Sequence, residues 1–312
     1  MIRKKKSPLT DRFGILDIFL FSVLTIYSLI LIALIFWAVL TSLKSADQYY
    51  YSKIAFPTKR FYGKYLIYNP KLETHPVWNF GTIFNYYSVK VSGEKGSGYV
   101  GFTTMVVYSL LYATGCAFVN TLTQCITAYA CAKFPCKVSN ILYGIVVVVM
   151  IIPIVGSLPA EIQLAKNLHI FDSIIGQWVM KANYLGIYFL VFFSTFKSLP
   201  KTYMEAAKID GANNGYILRR IMLPLVRNEF FTILIINFIA YWNDYQIPLL
   251  YLPTKPTIAY GIYQLSTSYT EGFDNVPMRL AGAVAMLIPM LAIFVGFHKR
   301  LLGNLTVGGI KG

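Results

Sequence analysis

From Ile18 to Leu43 the chain runs 26 residues without an Asp, Glu, Lys or Arg. This run constrains the fold more than any other feature. A helix rises about 1.5 Å per residue, and a bilayer core of about 30 Å needs about 20 apolar residues. The run is long enough to cross. A secretory leader begins similarly, and the basic cluster Arg3-Lys4-Lys5-Lys6 and Arg12 precede this run. A leader's apolar core, however, is only about 7–15 residues. The run ends at Thr41-Ser42-Leu43-Lys44, with no small-residue cleavage pattern. It is expected to remain as a first transmembrane helix, 18–43, after a cytoplasmic basic segment, 1–17.

Five further apolar stretches follow, near 104–130, 138–160, 182–199, 229–250 and 280–298. Charged residues are 13% of the chain, against about 25% in soluble domains. The mean hydropathy is +0.55. An ordinary water-soluble enzyme and a disordered chain are both excluded. The expected fold is all-α, a polytopic membrane protein with six transmembrane helices. Residues 44–102 form a polar, aromatic extracellular loop. The run Gly93–Gly98 is expected as a flexible approach to the second span. Gly96, Gly98 and Gly101 match G-x-G-x-x-G, but no clear strand precedes them and a membrane-like stretch follows, so nucleotide binding is not inferred.

The formal net charge is +15. In a soluble protein such an excess suggests nucleic acid. Here it reads as basic loops beside membrane helices, facing anionic lipid, with no nucleic-acid partner. With both ends inside, the cytoplasmic side holds Arg3, Lys4, Lys5, Lys6 and Arg12, then Lys133 and Lys137. It also holds Lys197, Lys201, Lys208, Arg219, Arg220 and Arg227, and lastly Lys299, Arg300 and Lys311. The short loops on the other side carry fewer. Both termini are therefore placed in the cytoplasm.

Catalytic and metal chemistry find no support. Cys116, Cys125, Cys131 and Cys136 include no C-x-x-C pair, and the histidines His75, His169 and His298 are scattered. The Gly63-Lys64 pair is followed by Tyr65, so the phosphate-binding P-loop pattern fails. No cofactor is expected on this chain.

The stretch from Ser198 to Pro224 carries a mechanism. It reads as two short helices around a turn. Ser198 is expected to cap the first and Pro200 suits its opening turn. Gly211 and Asn213-Asn214-Gly215 supply the break. Ile217, Leu218, Ile221, Met222 and Leu225 form one apolar face of the second helix. Ala206, Ala207 and Gly211 are small and allow another backbone to approach, while Glu205 adds a charge suited to a basic partner. The residues alone leave two readings open: a docking plug, or a hairpin lying on the membrane surface.

The spacing Glu205-Ala206-Ala207, three residues, Gly211, nine residues, Ile221-x-Leu223-Pro224 resembles the signature loop of permease subunits in ATP-binding-cassette importers. Other stretches resemble the carbohydrate branch similar to the maltose system: Asn120-Thr121 with Ala128–Phe134, Met150–Pro153, and Tyr241-Trp242-Asn243-Asp244. The glycine-rich tail after Leu305 is similar to the end of that branch's second permease. The resemblance covers roughly 104–312, whereas 44–102 departs from it.

The resemblance implies a type I importer permease fold in a bacterial cell membrane. It implies three protein partners: a second related permease, an ATPase dimer and an extracellular solute-binding protein. It also implies a sugar substrate moved by alternating access. ATP and Mg would sit on the ATPase. The coupling loop 200–224 would dock there through Glu205, Ala206, Ala207, Asp210, Gly211, Ile221, Leu223 and Pro224. The tail 301–312 would run along the ATPase, and the outer loop 251–278 would probe the binding protein. Similar permeases carry glycerol phosphate and polyols, and an ion-coupled secondary transporter is a rival reading.

Asp244 is the one acidic residue expected well inside a span, where ionised side chains cost about 2.5–3.5 kcal/mol. With Trp242 and Asn243 it is a gate or pathway candidate; the alternative is a place near the interface, bonded to neighbouring backbone. Pro153, Pro159 and Pro289 are expected to bend spans three and six, and Pro153 is kept as a hinge candidate. The abundant aromatics are assigned to interfacial belts, and no sugar-contacting residue is assigned.

Overall fold

The computed structural model describes residues 14–57, 79–93, 96–152, 156–269 and 272–305. Pro153, residues 1–13 of the basic segment 1–17 and residues 306–312 of the tail 301–312 lie outside them.

Helix α1 (Ile15–Ser42) opens where the Gly14 N–H donates to Asp17 Oδ2 at 2.9 Å. It is apolar on every side and exposed as far as Phe36, as expected of a helix surrounded by lipid. Its few hydroxyls turn inward: Ser22, Thr25 and Ser28 donate to carbonyls four residues back at 2.7–2.8 Å. These three hydroxyls therefore do not face hydrocarbon unpaired.

The segment after α1 has more structure than a polar loop. Short helices α2 (Ala46–Tyr51) and α3 (Asn79–Tyr86) are followed by an antiparallel hairpin, β1 (Ser88–Gly93) and β2 (Gly96–Gly101). The expected flexible glycine run instead enters both strands, with Gly93 paired to Gly96 and Gly96 at φ +116°. The signal was the alternation in Ser88-Val89-Lys90-Val91: both valines are buried and Lys90 is exposed. Asn79 Nδ2 donates to the Ser42 and Lys44 carbonyls, and Tyr87 Oη donates to Gly261 O at 2.7 Å. Lys44 is itself 1% exposed. Its ammonium donates to the carbonyls of Ser52 and Lys53, and burial holds its pKa below the ordinary lysine value.

Helix α4 (Phe102–Lys133) is the axis of the bundle. It packs against α8 (Ile187–Ser198) and α12 (Arg227–Trp242), and α7 (Ile174–Met180) crosses it at Gly115. Trp178 lies over that glycine so closely that a Cβ there would fall 2.0 Å from the indole. Among the described residues, three helices are long and apolar enough to cross a membrane: Leu16–Ser42, Phe102–Lys133 and Val276–Phe297, the last within α15 (Val276–Leu305). Helix α15 runs on through Pro289.

The other expected spans are shorter than their apolar stretches. Helix α5 (Lys137–Ile151) stops before 160. Ile152, which precedes Pro153 in sequence, is extended at φ −86°, ψ 114°, the conformation a following proline favours. Pro159 does not bend a span; it sits in the first turn of a new helix, α6 (Leu158–Asn167). The stretch 229–250 divides into α12 and α13 (Gln246–Tyr251). Ten residues of the expected outer loop 251–278 form a packed helix, α14 (Ile258–Thr267). The connection before α14 is tied down by Asp172, which accepts from Thr254 N at 3.2 Å and pairs with Lys255 at 3.6 Å.

Among the described residues, two large apolar clusters fill most of the bundle, with a smaller one around Tyr112, Cys116 and Leu252. One joins Ile83, Tyr87, Phe102, Met105, Trp242, Ile258 and Met278 at the hairpin-β end. The other joins Tyr129, Phe189, Phe192 and Phe196 to residues of the 199–226 segment at the opposite end.

Candidate functional site

The segment from Leu199 to Val226 is built from two helices with separate roots and a shared exposed face. Leu199 is extended (φ −70°, ψ 134°) ahead of Pro200, which ends α8. Helix α9 (Thr202–Ile209) comes next. Ser198 does not cap it, because its hydroxyl donates back to Thr195 O at 2.8 Å. Such back-bonding is the common alternative for a serine in the last turn of a helix.

Helix α9 ends in a Schellman motif. Gly211 lies at φ +79°, its N–H donates to Lys208 O at 3.0 Å, and Ala212 N donates to Ala207 O at 2.9 Å. Only glycine takes that left-handed geometry without a Cβ penalty. The Asn213 side chain then accepts from Tyr216 N at 2.8 Å and opens α10 (Asn214–Ile217). One π-helical turn, Leu218–Met222, leads into α11 (Leu223–Leu225). Pro224 has no N–H for the Arg220 carbonyl and crowds it; the wider turn directly before it accommodates both facts. At Val226 the chain bends by 77° into α12.

The signature positions divide between two surfaces. Ala207 is buried with Met204, three residues earlier on the same face of α9; Ile217, Met222 and Val226 join them. Glu205, Ala206, Asp210, Gly211 and Pro224 are exposed, and Ile221 and Leu223 are half-buried. Leu225, expected on the apolar face, is 44% exposed. A cleft between α9 and the second helix is lined by Ala207, Asp210, Gly211, Asn213, Tyr216 and Arg220, among others. Ile209 stands 87% exposed beside it, a large apolar side chain with no covering neighbour.

The buried side of the hairpin joins the bundle directly. Lys133, the last residue of α4, donates through Nζ to Leu199 O at 2.7 Å. The Lys208 ammonium lies 5.9 Å from the centre of the Phe134 ring. Tyr129 meets Phe134 and Phe196 edge-on, with centroids 5.8 and 5.4 Å apart. Met204 and Lys133 were not singled out from the sequence as parts of this site. The spacing of Met204 and Ala207 was a usable signal; the Lys133 contact spans 66 residues and had none.

The gate candidates take different partners. Trp242 is 1% exposed, stacks on Phe238 and donates through Nε1 to Met286 O at 3.2 Å. Asn243 donates back to Ile239 O at 2.9 Å. Asp244 is not inside a helix: it lies in the break between α12 and α13. There it accepts from Tyr112 Oη at 2.9 Å and from Ile247 N at 3.1 Å. The Tyr112 hydroxyl and the Ile247 N–H together compensate the carboxylate. Among the described residues no group of His, Cys, Asp and Glu could hold a metal ion.

Over 187 residues the chain is 30% identical to an arabinooligosaccharides transport system permease protein of Bacillus subtilis, covering 59% of this chain and 65% of that one. Over 297 residues it is 24% identical to a diacetylchitobiose uptake system permease protein of Streptomyces coelicolor, covering 93% and 87%. A chain from the crystal structure of a bacterial ABC transporter involved in the import of the acidic polysaccharide alginate superposes with a TM-score of 0.71. The superposition covers 94% of this chain and 99% of that one, at 18% identity, and shows a shared fold. The family described as binding-protein-dependent transport system inner membrane component matches residues 124–302. A multi-pass, mostly helical chain with this fold and this match is a member of the family of binding-protein-dependent transport system inner membrane components.

Proposed function

We propose that this chain is the membrane permease subunit of an ATP-driven, binding-protein-dependent importer of sugars, most fittingly oligosaccharides. It pairs with a second permease. Each permease presents its hairpin to one copy of an ATPase dimer, which holds ATP and Mg, and a solute-binding protein delivers substrate from outside. Both termini are cytoplasmic, so the 199–226 hairpin faces the ATPase. This chain carries out no chemistry of its own.

One observation carries the reading: the hairpin's exposed Glu205, Ala206 and Gly211 stand on a buried root, Met204, Ala207, Ile217 and Met222, that belongs to the same apolar cluster as α4 and α8. A push on the exposed face is passed to the spans because packed interiors deform little. The relatives named for oligosaccharide uptake support the substrate class.

The test is uptake by vesicles holding the assembled complex. Accumulation of a neutral oligosaccharide should require ATP and the binding protein and ignore an imposed ion gradient. Accumulation driven by the gradient without ATP would identify an ion-coupled transporter instead. Accumulation of glycerol phosphate or a polyol, with sugars refused, would keep the machinery and change the cargo.

A further inference from the structure

The α7–α8 connection, Lys181–Gly186, is a non-helical run at membrane depth. Its depth follows from two neighbours. Lys133 and Leu199 fix α4 and α8 together at the hairpin end. Helix α8 has 12 residues, so the break begins about 18 Å from that end at 1.5 Å per residue. Asn120 lies thirteen residues before Lys133 on α4, about 20 Å away on the same scale. The two meet: Asn120 Nδ2 donates to Lys181 O at 3.2 Å. Irregular backbone at such depth persists where it is buried in protein or lines a water-filled cavity, and Asn183 within this break is exposed.

Amides gather at this level. Gln124 Nε2 donates to Asn120 Oδ1 at 2.8 Å, and Asn237 Nδ2 donates to Thr121 Oγ1 at 2.9 Å, bringing α12 into the ring. Two amide oxygens have no hydrogen-bond partner among the described residues, Gln124 Oε1 and Gln177 Oε1. Gln124 is 3% exposed and Gln177 0%. Gln124 points at the break: a Cβ on Gly186 would lie 3.3 and 3.4 Å from its amide nitrogen and oxygen. Asn183 is exposed and Asn120 half-exposed. Buried acceptors without donors, amides able to give and accept, and no carboxylate among them are suited to a neutral ligand rich in hydroxyl groups.

We propose that Asn120, Gln124, Gln177 and Asn237, with the Lys181–Gly186 break, form a mid-membrane girdle that takes the hydroxyl groups of a passing oligosaccharide in this subunit. The proposal rests on the import function above and adds a substrate-contacting site to it. Amides that only hold helices together would give the same hydrogen bonds, so the test measures access.

Asn120→Cys and Asn183→Cys are made separately in a Cys136→Ser background and assembled into the full complex in proteoliposomes. The probe is a cationic, membrane-impermeant methanethiosulfonate, applied during ATP turnover with arabinotriose, maltotriose or raffinose. Both positions should label at least about tenfold faster than a lipid-facing Ile26→Cys control. A sugar that the vesicles accumulate should slow the labelling severalfold. Absence of labelling at both positions, or labelling indifferent to an accumulated sugar, overturns the girdle. Failure of the import reading shows separately, as no ATP-driven accumulation by the unsubstituted complex; water labelling at 120 and 183 would then still support a route-lining girdle, and its absence would overturn it.

Discussion

Glu205→Lys is expected to reduce ATP-driven uptake by about two orders of magnitude or more, while membrane insertion and thermal stability stay unchanged. The reasoning is local. Glu205 is exposed on α9 and makes no side-chain hydrogen bond or ion pair among the described residues, so its own fold does not need it. In the proposed function its value lies in a partner that the chain meets outside itself. Reversing a charge opposite a basic residue replaces attraction with repulsion, and like charges brought together at an interface cost several kcal/mol; each 1.4 kcal/mol is about tenfold. Glu205→Gln should fall between the two. Uptake and ATPase activity measured on the same proteoliposomes check this, and normal uptake by Glu205→Lys would remove the residue from the docking face.

Ile217→Ala is the second large effect, and it acts from the other side of the hairpin. Ile217 is fully buried in the cluster with Tyr129, Phe192, Phe196 and Met204. Truncation of a buried isoleucine to alanine costs about 2–5 kcal/mol, because the cavity closes only in part. The hairpin should still reach its partner but stand on a loosened root. Uptake is expected to fall about tenfold, and ATP hydrolysis should lose most of its dependence on loaded binding protein. Ile217→Val, which removes one methyl group, should recover most of both. A stable, fully coupled Ile217→Ala complex would show that motion enters the bundle elsewhere.

The hairpin was the most legible part of the sequence, since its chemistry is local. Gly211 must take a left-handed φ to end α9, and Asn213 must cap α10; both requirements are visible in residue type. The π turn was less so, because it depends on how the chain accommodates Pro224 after Arg220. Span lengths were misjudged for a related reason. Hydropathy reports composition, whereas the ends of α5 and α12 are decided by Ile152 before a proline and by Asp244 satisfying the backbone of α13. The strand at 88–93 was hidden by the glycines beside it. The polar girdle had no sequence signal at all: Asn120, Gln177 and Asn237 are far apart in the chain, and only folding brings them to one level.

The central claim is that the 199–226 hairpin is a joint between an ATPase and the membrane helices. A nitroxide on Ala206→Cys tests it most directly, read by its collision rates with oxygen and with a water-soluble nickel chelate. In the isolated permease the label should meet the aqueous reagent freely. In the assembled complex it should be shielded from both reagents, and stripping off the ATPase should restore the aqueous access. A label that meets mainly oxygen, with or without the ATPase, would place the hairpin in lipid and contradict the account.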